Sequence, residues 1–128
     1  MDNLSVMSEL QLSEVKIILT DIDDTLTTDG RLTSAAYGAL ERLSNSGYKL
    51  IPVTGRCAGW CDHIARMWPV DGVVGENGAF FYQYDHIGKI MHNIYSQTEL
   101  ERQSNFKLLH QIKSLRFQLK RRPIAGAF

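Results

Sequence analysis

The stretch VKIILTDI, Val15 to Ile22, is a near-continuous apolar run that stops on the aspartates Asp21, Asp23 and Asp24. A run of this length and β-branched content suits a strand buried on both faces of a parallel sheet. The next segments support that setting. Ala36, Leu40 and Leu43 fall at helical spacing within Ser34–Ser46, and Gly47 stands where a helix C′ glycine belongs. YKLIPVT, Tyr48 to Thr54, reads as a second strand, and GRCAGWCDHIARMW as a second helix with a stripe of Trp60, Ile64 and Met67 or Trp68. VDGVVGENGAFFY supplies a third short strand and the glycine-rich start of a hairpin. Strand, helix, strand, helix, strand implies right-handed crossovers and an α/β fold, a parallel sheet with flanking helices.

That topology directs attention to particular residues. Ligands of such sheets bind beyond the carboxyl ends of the strands. Asp21 and Asp23 end the first strand, Thr54, Gly55 and Arg56 end the second, and Asn77 follows the third. Clusters distant in sequence are thereby expected on one rim.

From Phe80 onward the pattern changes. AFFYQYDHIGKIMHNIY reads as a hairpin turning near His86-Ile87-Gly88. Thr98 then opens a long helix from Glu99 to about Arg121, with Glu101 in the capping-box position. Leu108, Ile112, Leu115 and Leu119 form its apolar seam, and Lys113, Arg116, Lys120, Arg121 and Arg122 crowd its end, where cations suit the helix dipole. The expected division is a lead-in over 1–14, an α/β core over 15–80, and a hairpin with a long helix over 81–128.

Global charge narrows the function classes. Lysine plus arginine and aspartate plus glutamate number 14 each, so no overall field favours nucleic acid or an anionic membrane. No apolar run is long enough to span a bilayer, and MDNLSVMSELQLSE lacks the basic end and apolar block of a signal peptide. The expectation is a cytoplasmic protein with neither nucleic-acid nor membrane partners. Cys57 and Cys61 have C-x3-C spacing, which is not the redox motif, and His63 does not align with them as a third zinc ligand. They read as two reduced thiols on a helix.

The aspartates fail two familiar templates. Counting from Asp21, an EF-hand loop needs glycine at its sixth and glutamate at its twelfth position, which here are Leu26 and Leu32. A phospho-acceptor receiver domain needs an aspartate ending the third strand, and Val73-Val74-Gly75 offers none. A solvated turn stays open as the plain alternative, although it leaves the neighbouring Thr-Gly pair unexplained. The functional alternative starts from D-x-D-x-T at Asp21, Asp23 and Thr25. Alternate residues of an extended segment point the same way, so both aspartates address one site while Ile22 packs behind. A carboxylate can attack phosphorus, splitting hydrolysis into two displacements. A hard cation such as Mg²⁺ offsets the repulsion between carboxylate and phosphate. A second carboxylate can protonate the leaving group and later deprotonate water, worth roughly 10²–10⁴ in rate. Thr54 offers a hydroxyl, and Gly55 lets a phosphate oxygen approach the backbone.

DIDDTL, VTGR and GENGAFF, in this order, resemble the haloacid dehalogenase (HAD) superfamily, and more narrowly its Cof-type, sucrose-phosphatase-like branch (subfamily IIB). The resemblance covers about Val15 to Tyr82, and the later hairpin and helix resemble the start of that branch's α/β cap. It implies a partial Rossmann-like core followed by the beginning of a cap, and a magnesium-dependent phosphohydrolase of small phosphorylated metabolites, often sugar phosphates. Asp21 would be the nucleophile and Asp23 the general acid/base, with Thr54 and Gly55 holding phosphate. Arg56 and Asn77 would be substrate-facing, and Asp24 and Thr25 supporting. Metal would contact the Asp21 carboxylate and the Asp23 main-chain carbonyl.

The sequence departs from the family in lacking its later lysine and acidic G-D-x-x-N-D-like loop; Lys107, Lys113 and Lys120 lie on the long helix, and Gly75-Glu76-Asn77 is not that loop. Two expectations result. One is a phosphohydrolase, or a piece of one; the other is a relative that binds phosphate or a partner without turnover. The first strand becomes an open edge and the long helix lacks a partner, so a homodimer or larger assembly is expected to cover them.

Overall fold

The structure, a computed structural model, describes residues 7–121, with side chains described through Arg116. Leu119, Lys120 and Arg121 therefore have no side-chain account, and Arg122 lies outside the described residues. By internal contacts the chain forms two units, Met1–Ser96 and Gln97–Phe128.

In the first unit, helix α1 (Glu9–Glu14) is closed by a reciprocal bond between Ser8 and Gln11 and buries no residue. Strand β1 (Ile17–Thr20) then pairs in parallel with β4 (Lys49–Pro52), Ile17 opposite Lys49 and Thr20 opposite Pro52. Between them come a small antiparallel hairpin, β2 (Thr27–Thr28) and β3 (Arg31–Leu32), and helix α2 (Ser34–Asn45). The Thr33 hydroxyl caps α2, and Gly47 leaves it at φ +88°, a conformation glycine adopts without a Cβ penalty. Helix α3 (Ala58–Met67) leads to β5 (Val73–Gly75), tied in parallel to the end of β4 by a bridge between Val53 and Val74. Strands β6 (Phe80–Asp85) and β7 (Ile90–Tyr95) extend the same sheet in antiparallel fashion.

Both crossovers run in one direction across the sheet, which places α2 and α3 on one face. The Tyr37 hydroxyl links them by donating to the Met67 carbonyl at 3.3 Å. The core on that face contains Ile22, Cys61, Ile64, Ala65, Val73, Phe80 and Tyr82. Burying a side chain such as Ile64 contributes about 1.5–3 kcal/mol.

Two sequence expectations change here. β1 is not buried on both faces, because Ile17 and Leu19 remain 55% and 65% exposed on the face away from the helices. Nothing among the described residues of this unit covers that face. The buried stripe of α3 runs through Cys61, Ile64 and Ala65. Trp60, expected in that stripe, is exposed, and of the alternatives Met67 and Trp68 the first is exposed and the second packs against the core. Phe80 and Tyr82 lie in the core and β6 pairs directly with β5, within the unit that runs to Ser96.

The second unit contains α4 (Glu99–Arg121). Its N-terminus carries the expected capping box: the Glu101 carboxylate accepts from the Thr98 amide at 2.8 Å, and the Thr98 hydroxyl accepts from the Glu101 amide at 3.3 Å. Leu108, Ile112 and Leu115 are exposed along it. Among the described residues no helix is long and apolar enough to cross a membrane.

Candidate active site

The segment after β1 is wound tightly around one carbonyl. The Ile22 oxygen accepts the amides of Thr25, Leu26 and Thr27 at 3.3, 3.0 and 2.9 Å and the Thr27 hydroxyl at 3.1 Å. Ile22 itself is buried, while Asp21, Asp23, Asp24 and Thr25 are exposed around it. The pattern matches the expectation that Ile22 packs behind two outward aspartates. Asp24 takes a left-handed backbone, φ 58°, and its amide donates to the Thr27 hydroxyl at 3.3 Å. Short polar residues adopt that conformation more readily than bulky ones.

The second segment follows β4. Thr54 is buried; its amide donates to the Val74 carbonyl at 2.9 Å, and its hydroxyl oxygen accepts the Arg56 amide at 3.2 Å. That bond occupies an acceptor site of the hydroxyl and leaves its own proton for donation.

The third segment, Glu76-Asn77-Gly78, turns β5 into β6 with φ values of 47°, 55° and 100°. Two main-chain bonds clasp it onto the second segment, Asn77 to the Thr54 carbonyl at 3.1 Å and Glu76 to the Arg56 carbonyl at 3.1 Å. A Cβ built on Gly55 would stand 3.2 Å from the Asn77 Oδ1, so the absence of a side chain at Gly55 lets the Asn77 amide lie close by.

Arg56 joins the first segment to the others. Its Nε and Nη2 donate to Asp23 Oδ2 and Oδ1 at 3.1 and 2.6 Å, a bidentate pair, and its guanidinium lies 4.7 Å from the centroid of the Trp60 ring. The Arg56 hydrogen bonds, with a smaller contribution from its charge, hold the Asp23 carboxyl below the usual carboxylate range. The same bonds push Arg56 further up. Both partners are partly solvated, so the pair contributes little to stability and matters for geometry.

The structure thus gathers Asp21, Asp23, Thr54, Gly55, Arg56 and Asn77 at the carboxyl ends of β1, β4 and β5, with Asp24 and Thr25 on the adjoining turn. Trp60 and Thr27 also take part, and neither carries a clear signal in the sequence. Trp60 reads as a core aromatic, and Thr27 is one polar residue among several. Of the other aromatics near the site, Phe80 and Tyr82 are core residues. Cys57 is exposed at the start of α3 and Cys61 is buried beneath the Arg56 carbonyl, to which its thiol donates at 3.6 Å. Among the described residues, no three His, Cys, Asp or Glu side chains gather to hold a metal ion. The Asp21 carboxylate is exposed at this rim, as a hard oxygen donor of the kind Mg²⁺ takes.

Comparison with known proteins agrees with this arrangement. Residues 18–121 match the family model of haloacid dehalogenase-like hydrolases. No curated protein matches the chain. Among solved structures, a phosphatase of the haloalkanoate enzyme superfamily from Bacteroides thetaiotaomicron is 22% identical with a TM-score of 0.54, over 85% of this chain and 40% of that one. A haloacid dehalogenase-like hydrolase from B. subtilis is 19% identical with a TM-score of 0.55, over 79% and 34%. A structure from a study of the trigonal-bipyramidal intermediate in a phosphoryl-transfer superfamily is 26% identical with a TM-score of 0.50, over 65% and 31%. The chain therefore spans about a third of the length of the solved structures it matches. With the family pattern matched over most of the sequence and its motif segments on one rim, the chain belongs to the haloacid dehalogenase-like hydrolase family.

Proposed function

We propose that this chain carries the nucleophile and phosphate-binding part of a phosphohydrolase site that acts on small phosphomonoesters, sugar phosphates among them. The observation that supports it best is the bidentate Asp23–Arg56 contact, which holds the D-x-D segment against T-G-R while Asp21 stays exposed beside them. Asp21 attacks phosphorus, its carboxylate forming an acyl phosphate as the ester oxygen departs. Asp23, once it has taken up a proton against the hold of Arg56, delivers it to that oxygen and then removes one from the water that hydrolyses the acyl phosphate. The Thr54 hydroxyl proton and the Gly55 amide hold phosphate oxygens, and the Asn77 side-chain amide, close to Gly55, contacts the same group.

Mg²⁺ fits the donor chemistry, which is hard oxygen: the Asp21 carboxylate and the Asp23 main-chain carbonyl would hold it, with water and substrate phosphate filling its remaining positions. When bound it supplies charge that offsets repulsion between carboxylate and phosphate. The sparse donor set among the described residues also favours a second reading, a module that binds phosphate or a partner without turnover. Assaying a phosphomonoester panel with Mg²⁺ and with chelator, beside Asp21→Asn, separates the two. Mg²⁺-dependent turnover lost in Asp21→Asn supports the hydrolase; phosphate binding without turnover supports the module.

Among the described residues one edge of β1 is unpaired, and Ile17, Leu19 and Ile94 are exposed on the bare sheet face. Both features further suggest that a second copy of the chain covers this surface. A monomeric mass by light scattering at micromolar concentration refutes that assembly.

A further inference from the structure

Trp60 is an exposed aromatic that the core does not explain. It lies in the first turn of α3 with its amide bonded to the Cys57 carbonyl at 3.1 Å, and it is 54% exposed. Trp68, at the other end of α3, packs against the core instead. We propose that Trp60 is a positioning residue that, through Arg56, fixes the orientation of the Asp23 carboxylate. The proposal rests on the reading of Asp23 as the general acid/base.

Arg56 is pinned at both ends. Its main chain is held by the Thr54 hydroxyl oxygen at 3.2 Å and, through its carbonyl, by the Glu76 amide at 3.1 Å. Its side chain has two contacts of different kind. The fork toward Asp23, at 3.1 and 2.6 Å, fixes where the guanidinium lies within its own plane. That fork leaves the group free to tilt about the line joining the two bonds. The indole, 4.7 Å from Cζ to the ring centroid, faces the guanidinium and removes the tilt. Tryptophan is the strongest of the aromatic partners for such a cation, because its ring presents the most negative face. A carboxylate gripped by a guanidinium that cannot tilt is itself held in one orientation. Without the indole the pair can still form, but it samples a range of angles, and so does Asp23. Proton transfer to a leaving oxygen is sensitive to such misplacement.

The test reads Arg56 directly and needs no turnover. In ¹⁵N-labelled protein without ligand, the Arg56 Nε–H resonance is identified by its loss in Arg56→Lys. It should stand apart from the free arginine side chains and exchange slowly, and it should rejoin them in Asp23→Asn. In Trp60→Leu it should broaden and exchange faster while staying apart from the free side chains, because the Asp23 bond persists over a range of angles, whereas Trp60→Phe should keep most of the sharpness and slow exchange. A Trp60→Leu spectrum with the Arg56 resonance as sharp and as slow to exchange as in wild type overturns the proposal. So does loss of cooperative folding in Trp60→Leu, because the indole then serves the core. In the phosphomonoester assay, Trp60→Leu should lower kcat about tenfold with little change in KM, and Trp60→Phe should recover most of it. An unchanged kcat, or a change confined to KM, overturns it. A wild-type chain without turnover counts against the proposed hydrolase alone, and the resonance still decides the role of Trp60.

Discussion

Gly75→Ala probes the joint between core and site. Gly75 is the last residue of β5, fully inside the sheet, and the turn after it clasps Thr54 and Arg56. A Cβ there would overlap the Phe80 ring and stand 2.7 Å from the Cys61 sulfur. Neither neighbour can move aside easily. The Phe80 ring centroid lies 4.3 Å from that of Tyr82, with the two rings tilted by 31°, and 6.3 Å from Tyr95, edge-on, and Cys61 is fully buried on α3. Overpacking a well-filled core costs about 1–3 kcal/mol, and pinned neighbours on both sides place this case toward the top of that range. At roughly 4 °C per kcal/mol for a chain of this size, the expected fall in Tm is about 8–12 °C. Thermal melts followed by circular dichroism, with urea titrations for the free energy, measure it. Phe80→Leu removes the ring from Gly75, so the two substitutions should couple by about 1 kcal/mol or more. A Gly75→Ala chain within about 0.5 kcal/mol of wild type, or strict additivity with Phe80→Leu, refutes the packing of β6 against α3 on which the site's third segment depends.

Two further outcomes test the structure more locally. Burial pushes the Cys61 thiol up to about 11, so it stays protonated and shielded; a thiol reagent at neutral pH should modify Cys57 alone, and Cys61 only on unfolding, whereas rapid reaction of both contradicts the core assignment. Asp85 accepts the amides of Ile87 and Gly88 at 2.9 and 3.1 Å, and these bonds, Gly88 first, hold its carboxyl below the usual range. A depressed folded-state value gives stability present above the unfolded value of about 3.9 and lost as pH falls through the folded one. Asp85→Ala should therefore destabilise at pH 7 and match wild type in strong acid, and a gap of equal size at both ends overturns the assignment.

The parts of the fold legible in the sequence are those with long patterns. The apolar runs, the helical spacing of Ala36, Leu40 and Leu43, and Gly47 suffice for the parallel arrangement of β1 and β4, and that arrangement brings Asp21 beside Thr54. Short or weak signals are lost. The β2–β3 hairpin has two-residue strands, too brief for any period, although Asp29-Gly30, both at positive φ, is a tight-turn pair. The buried stripe of α3 escapes the pattern because Cys61 and Ala65 carry less apolar bulk than Trp60 and Met67. The apolar run of β1 implies cover on both faces, and the described residues of its unit supply it on one. The partnership of Arg56 with Asp23 leaves no trace in spacing, because the two lie far apart in the chain and meet only through the strand order.

The role of Asp21 as a nucleophile can be tested by trapping its product. In Asp23→Asn the base for the second step is gone, while p-nitrophenyl phosphate, with its good leaving group, needs no acid for the first. Acid-quenched Asp23→Asn after exposure to that ester and Mg²⁺ should carry one phosphoryl group on the peptide containing Asp21. The group should be released by hydroxylamine, and it should be absent from Asp23→Asn/Asp21→Asn. Turnover by the wild-type chain with no phosphoryl group on Asp21, or turnover that survives Asp21→Asn, contradicts that role.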